Sequence, residues 1–140
     1  MKSLIIISFI IVNCLWLTAY CYSQKYGTDM SAKEYFTSGN LHAALTAYLK
    51  LLKDDSKNID YNHKIGVCYL NINDNKTKAI PYLEFVTTQN KFDNEALFNL
   101  GTAYHQAMRF DDAIKYYNKY KEKAGGQNMK APDRQIEMCY

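Results

Sequence analysis

Small residues recur in this chain at a spacing that few folds accommodate. Gly66 precedes Gly101 by 35 positions, and Ala44, Ala79 and Ala113 are separated by 35 and 34. Larger residues keep the same interval: Tyr35, Tyr69 and Tyr104 lie 34 and 35 apart, and Tyr48, Leu83 and Tyr117 lie 35 and 34 apart. Each period has one internal order. An apolar–small–aromatic pattern at helical spacing, clearest in Leu97-Phe98-Asn99-Leu100-Gly101-Thr102-Ala103-Tyr104, is followed by a short polar break. A second helical pattern then begins, as in Phe110-Asp111-Asp112-Ala113-Ile114-Lys115-Tyr116-Tyr117. Repeats of two helices each hide their apolar face against neighbouring repeats instead of around one centre.

The local signals divide residues 24–128 into three such units, at about 26–57, 58–92 and 93–125. In the first, helical spacing runs from about Thr28 to Ser38 and breaks at Gly39-Asn40. A second helix from Leu41 to about Lys53 carries Leu41, Ala44, Leu45, Tyr48, Leu51 and Leu52 on one stripe. The second unit begins near Ile59 and turns within 71–75, where an extra residue lengthens the period. It resumes from about Thr77 to Gln89, with Pro81 near the first turn. The third is capped by Asp93 or Asn94. Its second helix starts with Asp111-Asp112, ends in Lys119, Lys121 and Lys123, and stops at Gly125-Gly126. Residues 129–140 resume a helical pattern with Pro132 in its first turn, either as a capping helix or as the start of a fourth unit cut short.

Two antiparallel helices approach to roughly 8–10 Å, which demands a small residue wherever side chains would collide. Gly66 and Gly101 supply it on the first helix of their units, with Ala32 at the matching place, and Ala44, Ala79 and Ala113 supply it on the second. This pattern resembles the tetratricopeptide repeat over about residues 26–124. The resemblance implies an all-α helical-repeat solenoid of about three helix-turn-helix repeats plus a short terminal helix. Ala32 in place of glycine, and Ser56 where the family usually ends a repeat in proline, are departures of detail.

Before the repeats stands a leader. Met1 to Ser23 has one early charge, Lys2, then the apolar run Leu4-Ile5-Ile6-Ile7-Ser8-Phe9-Ile10-Ile11-Val12, the layout of a secretory signal peptide. Cleavage between Ser23 and Gln24 fits the small Cys21 and Ser23. A retained membrane anchor and lipidation at Cys21 or Cys14 are the alternatives, both weakened: Asn13 interrupts the run, and Tyr20 and Asn13 stand where a lipoprotein signal has a small residue. The expectation is export to the periplasm or the periplasmic face of the outer membrane, with no integral span once the leader is cut.

The mature chain carries 16 basic and 14 acidic residues, too even a balance for a nucleic-acid footprint. Cys68 and Cys139 remain after the leader, but at equivalent places two repeats apart they lie well past the ~7 Å limit for a bridge, so both read as free buried thiols. His42, His63 and His105 have no i, i+4 partner and no ligand-spaced carboxylates, so no metal is expected. No nucleophile elbow, phosphate loop or paired carboxylates occur, and neither an enzyme nor a cofactor is expected.

The family likeness implies that the first helix of each repeat lines a concave groove. By register the lining is Lys33 and Phe36, then His63, Val67 and Leu70, then Phe98, Thr102 and His105. Such a mixture suits an extended or helical peptide, or packing against a neighbouring domain. Some family members grip a terminal carboxylate with bases and asparagines; Lys33 and Lys64 are the only groove-side bases here, and that set is incomplete.

A narrower likeness rests on three strings: Ala43-Ala44-Leu45-Thr46-Ala47-Tyr48 with Leu51-Leu52, Tyr61 to Asn71 with Lys78 to Glu84, and Arg134 to Tyr140. Together they resemble the N-terminal tetratricopeptide part of exported Bacteroidota envelope proteins that continue into a β-propeller and an OmpA-like domain, some of them in type IX secretion and gliding. This implies a non-catalytic protein–protein scaffold with a protein or peptide partner in the envelope. The alternatives are a truncated fragment of a wall-anchored protein without activity of its own, and an accessory subunit of an enzyme complex.

Overall fold

The computed structural model describes residues 2–72, 76–125 and 130–139, without the side chains of residues 2–10, 12, 21, 24 and 25. Among the described residues seven α-helices follow in order: α1 Lys2–Thr37, α2 Leu41–Asp54, α3 Ile59–Asn71, α4 Ala79–Thr87, α5 Glu95–Gln106, α6 Phe110–Lys123 and α7 Lys130–Glu137, with a 3₁₀ turn at Lys76–Lys78 before α4. There is no strand among the described residues. Each helix packs on the next in sequence, and α3 also touches α5, so the chain is a solenoid of hairpins.

The first helix is longer than expected. The sequence predicts a helix from about Thr28 after a polar lead-in, but α1 runs unbroken from Lys2. No proline interrupts it, and the one glycine, Gly27, costs a helix only about 1 kcal/mol. The second helix of repeat two is shorter than predicted, at Ala79–Thr87, because the backbone first makes a 3₁₀ turn; Pro81 stands third in α4, where its missing N–H goes unneeded. The extra residue assigned to 71–75, Gly126 and Tyr140 lie wholly or partly outside the described residues.

Elsewhere the breaks fall where the turn chemistry puts them. Gly39 and Gly125 take positive φ, 79° and 59°, after α1 and α6. Asn40 accepts from the Ala43 N–H to cap α2, and of the two cap candidates for α5 it is Asp93 that binds, at 3.0 Å from the Glu95 nitrogen. Two devices were not read from the sequence. Asn58 caps α3 through the Tyr61 N–H at 3.1 Å, and buried Asn62 donates to the Asn58 and Ser56 carbonyls, tying the α2–α3 link to α3.

The apolar interior consists of two clusters, each shared between successive repeats. One joins Ala32, Ala44, Tyr48 and Leu51 of repeat one to Tyr61, Ile65, Cys68 and Ile72 of repeat two. The other joins Leu70, Ala79 and Leu83 to Leu100, Ala103, Tyr104, Ala113 and Tyr117. Between repeats two and three the Tyr104 hydroxyl donates to Glu84 Oε1, and the Arg109 guanidinium lies 4.4 Å above the Tyr104 ring. Where inner repeats bury Asn62 and Ile65 or Leu97 and Leu100, repeat one has Thr28 and Ser31, half-buried beside the exposed Tyr35. That outer face is polar, as the end of a solenoid requires.

The glycines act as the period requires. A Cβ on Gly66 would fall 2.6 Å from Leu83 Cγ, and one on Gly101 would fall 2.6 Å from both Cδ1 and Cε1 of Tyr117, a fully buried ring. We therefore expect Gly101→Ala to lower stability by about 1–2 kcal/mol, overpacking outweighing the gain in helix propensity. Gly27→Ala, where nothing lies within 4 Å, should be neutral or stabilising. Chemical denaturation of the two variants checks both signs.

Candidate peptide groove

The first helices of the repeats present one face outward. On α1 it carries Met30 and Lys33, on α3 Lys64 and Val67, on α5 Asn99 and Thr102, at matching positions of the repeat. Met30 and Lys33 are exposed, while Lys64, Val67, Asn99 and Thr102 are half-buried. Met30 and Asn99 were missed by the sequence reading. The signal that finds them is the register itself, since Met30, Lys64 and Asn99 lie 34 and 35 apart.

Several expected lining residues are engaged with other parts of the fold. Leu70 is buried in the second core cluster and offers a ligand no surface, because its side of α3 turns toward α5. Phe36 packs edge-on against Tyr48 of α2 and is covered by the Lys64 ammonium, 4.5 Å from its ring centre. Phe98 rests on Tyr117 and Tyr120 of α6, with ring centres 5.5 and 5.6 Å away. Thr102 accepts a long hydrogen bond from the Tyr117 hydroxyl. His105 meets the ring of Phe110 edge-on and lies 3.8 Å from Cys139 Sγ of the tail. Lys33 pairs with Asp29 one turn earlier, at 2.9 Å. Val67 keeps its side chain half-buried on the outward face of α3.

His63 joins two repeats. Asn99 Nδ2 lies 3.3 Å from its Nε2, so a neutral imidazole accepts across the α3–α5 contact. Burial holds its pKa below the ordinary value, and neighbouring Lys64 adds to this, against Glu95, Asp93 and Asp60. Cys68 and Cys139 are free, the first buried and the second half-buried, and burial pushes the Cys68 thiol up to about 11. Among the described residues no group of three or more His, Cys, Asp or Glu side chains is placed to hold a metal, and no helix is long and apolar enough to cross a membrane.

Comparison with known proteins gives the class. Residues 73–128 match the tetratricopeptide repeat family model. The first tetratricopeptide domain of Spaghetti (RPAP3), bound to the HSP90 peptide SRMEEVD, superposes with a TM-score of 0.69 at 16% identity over 82% of this chain and 89% of that one. The TPR2B domain of yeast Sti1, in a complex with pHsp70, gives 0.63 at 17% identity over 83% and 92%. MamA gives 0.65 at 23% identity over 78% of this chain, which spans 62% of it. No curated protein matches. The fold is thus a tetratricopeptide-type helical-repeat solenoid, an architecture whose solved examples include a peptide-bound domain.

A pH dependence follows from His63. Its folded pKa lies below 6.5, so as pH falls the unfolded chain takes up this proton first. The stability contribution is complete above about 6.5 and is lost as pH drops below it. Thermal melts at pH 7 and pH 5.5 should show a smaller drop for His63→Gln than for the parent; an equal drop would leave His63 without a part in it.

Proposed function

We propose that this chain is a non-catalytic scaffold of the cell envelope whose α1–α3–α5 face holds a peptide segment of a partner protein. The observation that carries the reading is the outward face itself: Met30, 48% exposed, with Lys33, Lys64, Val67, Asn99 and Thr102, mixes apolar and hydrogen-bonding groups across three helices. One solved domain of the same fold is bound to a peptide and another is in a complex with pHsp70, which supports groove binding as the use of this architecture. The charged-then-apolar leader supports export, and the three strings that resemble Bacteroidota envelope proteins support a place in an outer-membrane or periplasmic assembly such as type IX secretion.

The test is recovery of a partner by the full chain, tagged at its C-terminus and produced in its own envelope. Met30→Glu combined with Lys64→Glu changes the outward face and leaves both core clusters intact. Met30→Glu alters stability by roughly 0.5 kcal/mol or less, and Lys64→Glu gives up about 0.5–1 kcal/mol of its contact over the Phe36 ring, so partner recovery should fall several-fold while the melting temperature drops only a few degrees. Unchanged recovery would remove the groove from the function. Phe98→Ala is the poorer probe, because that ring supports α6. N-terminal sequencing of the exported product should read from Gln24; a product starting at Met1 would mean the leader is retained.

A further inference from the structure

At the junction of α1, α2 and α3 two polar atoms are buried without a hydrogen-bond partner in the protein: the Tyr48 hydroxyl and Asp29 Oδ1. Tyr48 is 0% exposed. Buried polar atoms are nearly always paired, so each one that is not needs a physical account, a bound ion or polar group being one. The two face one acidic corner. After burial, the charges of Asp60 and Asp29 are what raise the Tyr48 phenol, and the ring of Tyr61 lies 5.8 Å from that of Tyr48. Tyr61 in turn is raised by burial, then by the charge of Asp29 and by Asp29 lying within hydrogen-bonding reach of its hydroxyl. The positive end of α3 is already met there by the Asn58 cap and by Asp60.

The cation at this corner is Lys33, whose Nζ touches Asp29 Oδ2 at 2.9 Å. It comes from one turn along the same helix, and its side chain is 58% exposed. Pairs of that kind are weak and readily exchanged. Asp29 Oδ1 and the Tyr48 hydroxyl, on the inner side, remain unused by it.

We propose that this corner is a binding site for one cationic nitrogen group, an ammonium or guanidinium, which displaces Lys33 from Asp29 and donates to Asp29 Oδ1 and to the Tyr48 hydroxyl. It lies at the repeat-one end of the outward face, one residue from Met30 and one turn from Lys64 along their helices. On the groove reading, its natural occupant is a lysine or arginine side chain of the bound segment. The site itself does not depend on that reading, because a small cation tests it directly.

The probe is n-butylguanidinium, titrated into the full chain and followed by amide ¹H–¹⁵N shifts, with tetramethylammonium at equal ionic strength as the control that carries charge but no donor. Saturable shifts at residues 29–33, 48 and 59–61 are expected with the first cation only. Asp29→Asn should abolish them. Lys33→Ala, which removes the competitor, should tighten binding about two- to fivefold. Tyr48→Phe distinguishes a site from mere strain: loss of a partnerless hydroxyl should not lower the melting temperature, yet it should weaken the cation several-fold. Absence of saturable shifts in the parent, or affinity unchanged in Tyr48→Phe, would overturn the site. Either result, alongside a partner still captured through Met30 and Lys64, would sink the cation site alone and leave the groove standing.

Discussion

The structure depends on two places where a side chain is missing. Leu83 and Tyr117 lie where a Cβ on Gly66 and Gly101 would stand. Any larger residue on α3 or α5 would hold the helices of the hairpin apart, and the alanines opposite, Ala79 and Ala113, are fully buried for the same reason. Close approach lets one tyrosine or leucine per repeat fill the seam, and burying such a side chain contributes about 1.5–3 kcal/mol. Repeat one reaches a similar result with Ala32 and Tyr48, both fully buried.

Once the hairpins are tight, the remaining order follows from sharing. Neither apolar cluster belongs to one repeat, since each draws on the second helix of one unit and the first helix of the next. Stability in such an array is a sum of nearest-neighbour terms. The Tyr104–Glu84 hydrogen bond adds a polar fastening between repeats two and three, and the Arg109 guanidinium and the Tyr116 ring brace Tyr104 within repeat three. The outer face of repeat one ends in Thr28 and Ser31, which gives the stack an edge that water can wet.

The same stacking makes the outward face of the first helices. Because the first helices stand side by side, side chains of successive repeats meet: Lys64 over Phe36, and Asn99 beside His63. Aromatic residues near the rim serve the fold as well, and Phe98 holds α6 while Phe36 holds α2. On the proposed reading, a partner would meet a narrower strip of Met30, Lys33, Lys64, Val67, Asn99 and Thr102, with an acidic corner at its repeat-one end. That corner holds buried polar atoms which the hairpin packing leaves unsatisfied.

The sequence by itself determined the period, the helix order, the small residues and the breaks at Gly39 and Gly125. These are short-range matters of helical spacing and backbone freedom, and each is written in neighbouring residues. The sequence did not reveal that Leu70 turns inward, that Phe98 is shared with α6, or that Asp93 rather than Asn94 caps α5. Only the tertiary structure decided those, and it alone brought Asp29, Tyr48 and Tyr61 together. Their meeting depends on the angle at which three helices from two repeats cross, and periodicity along a single helix carries no information about that angle.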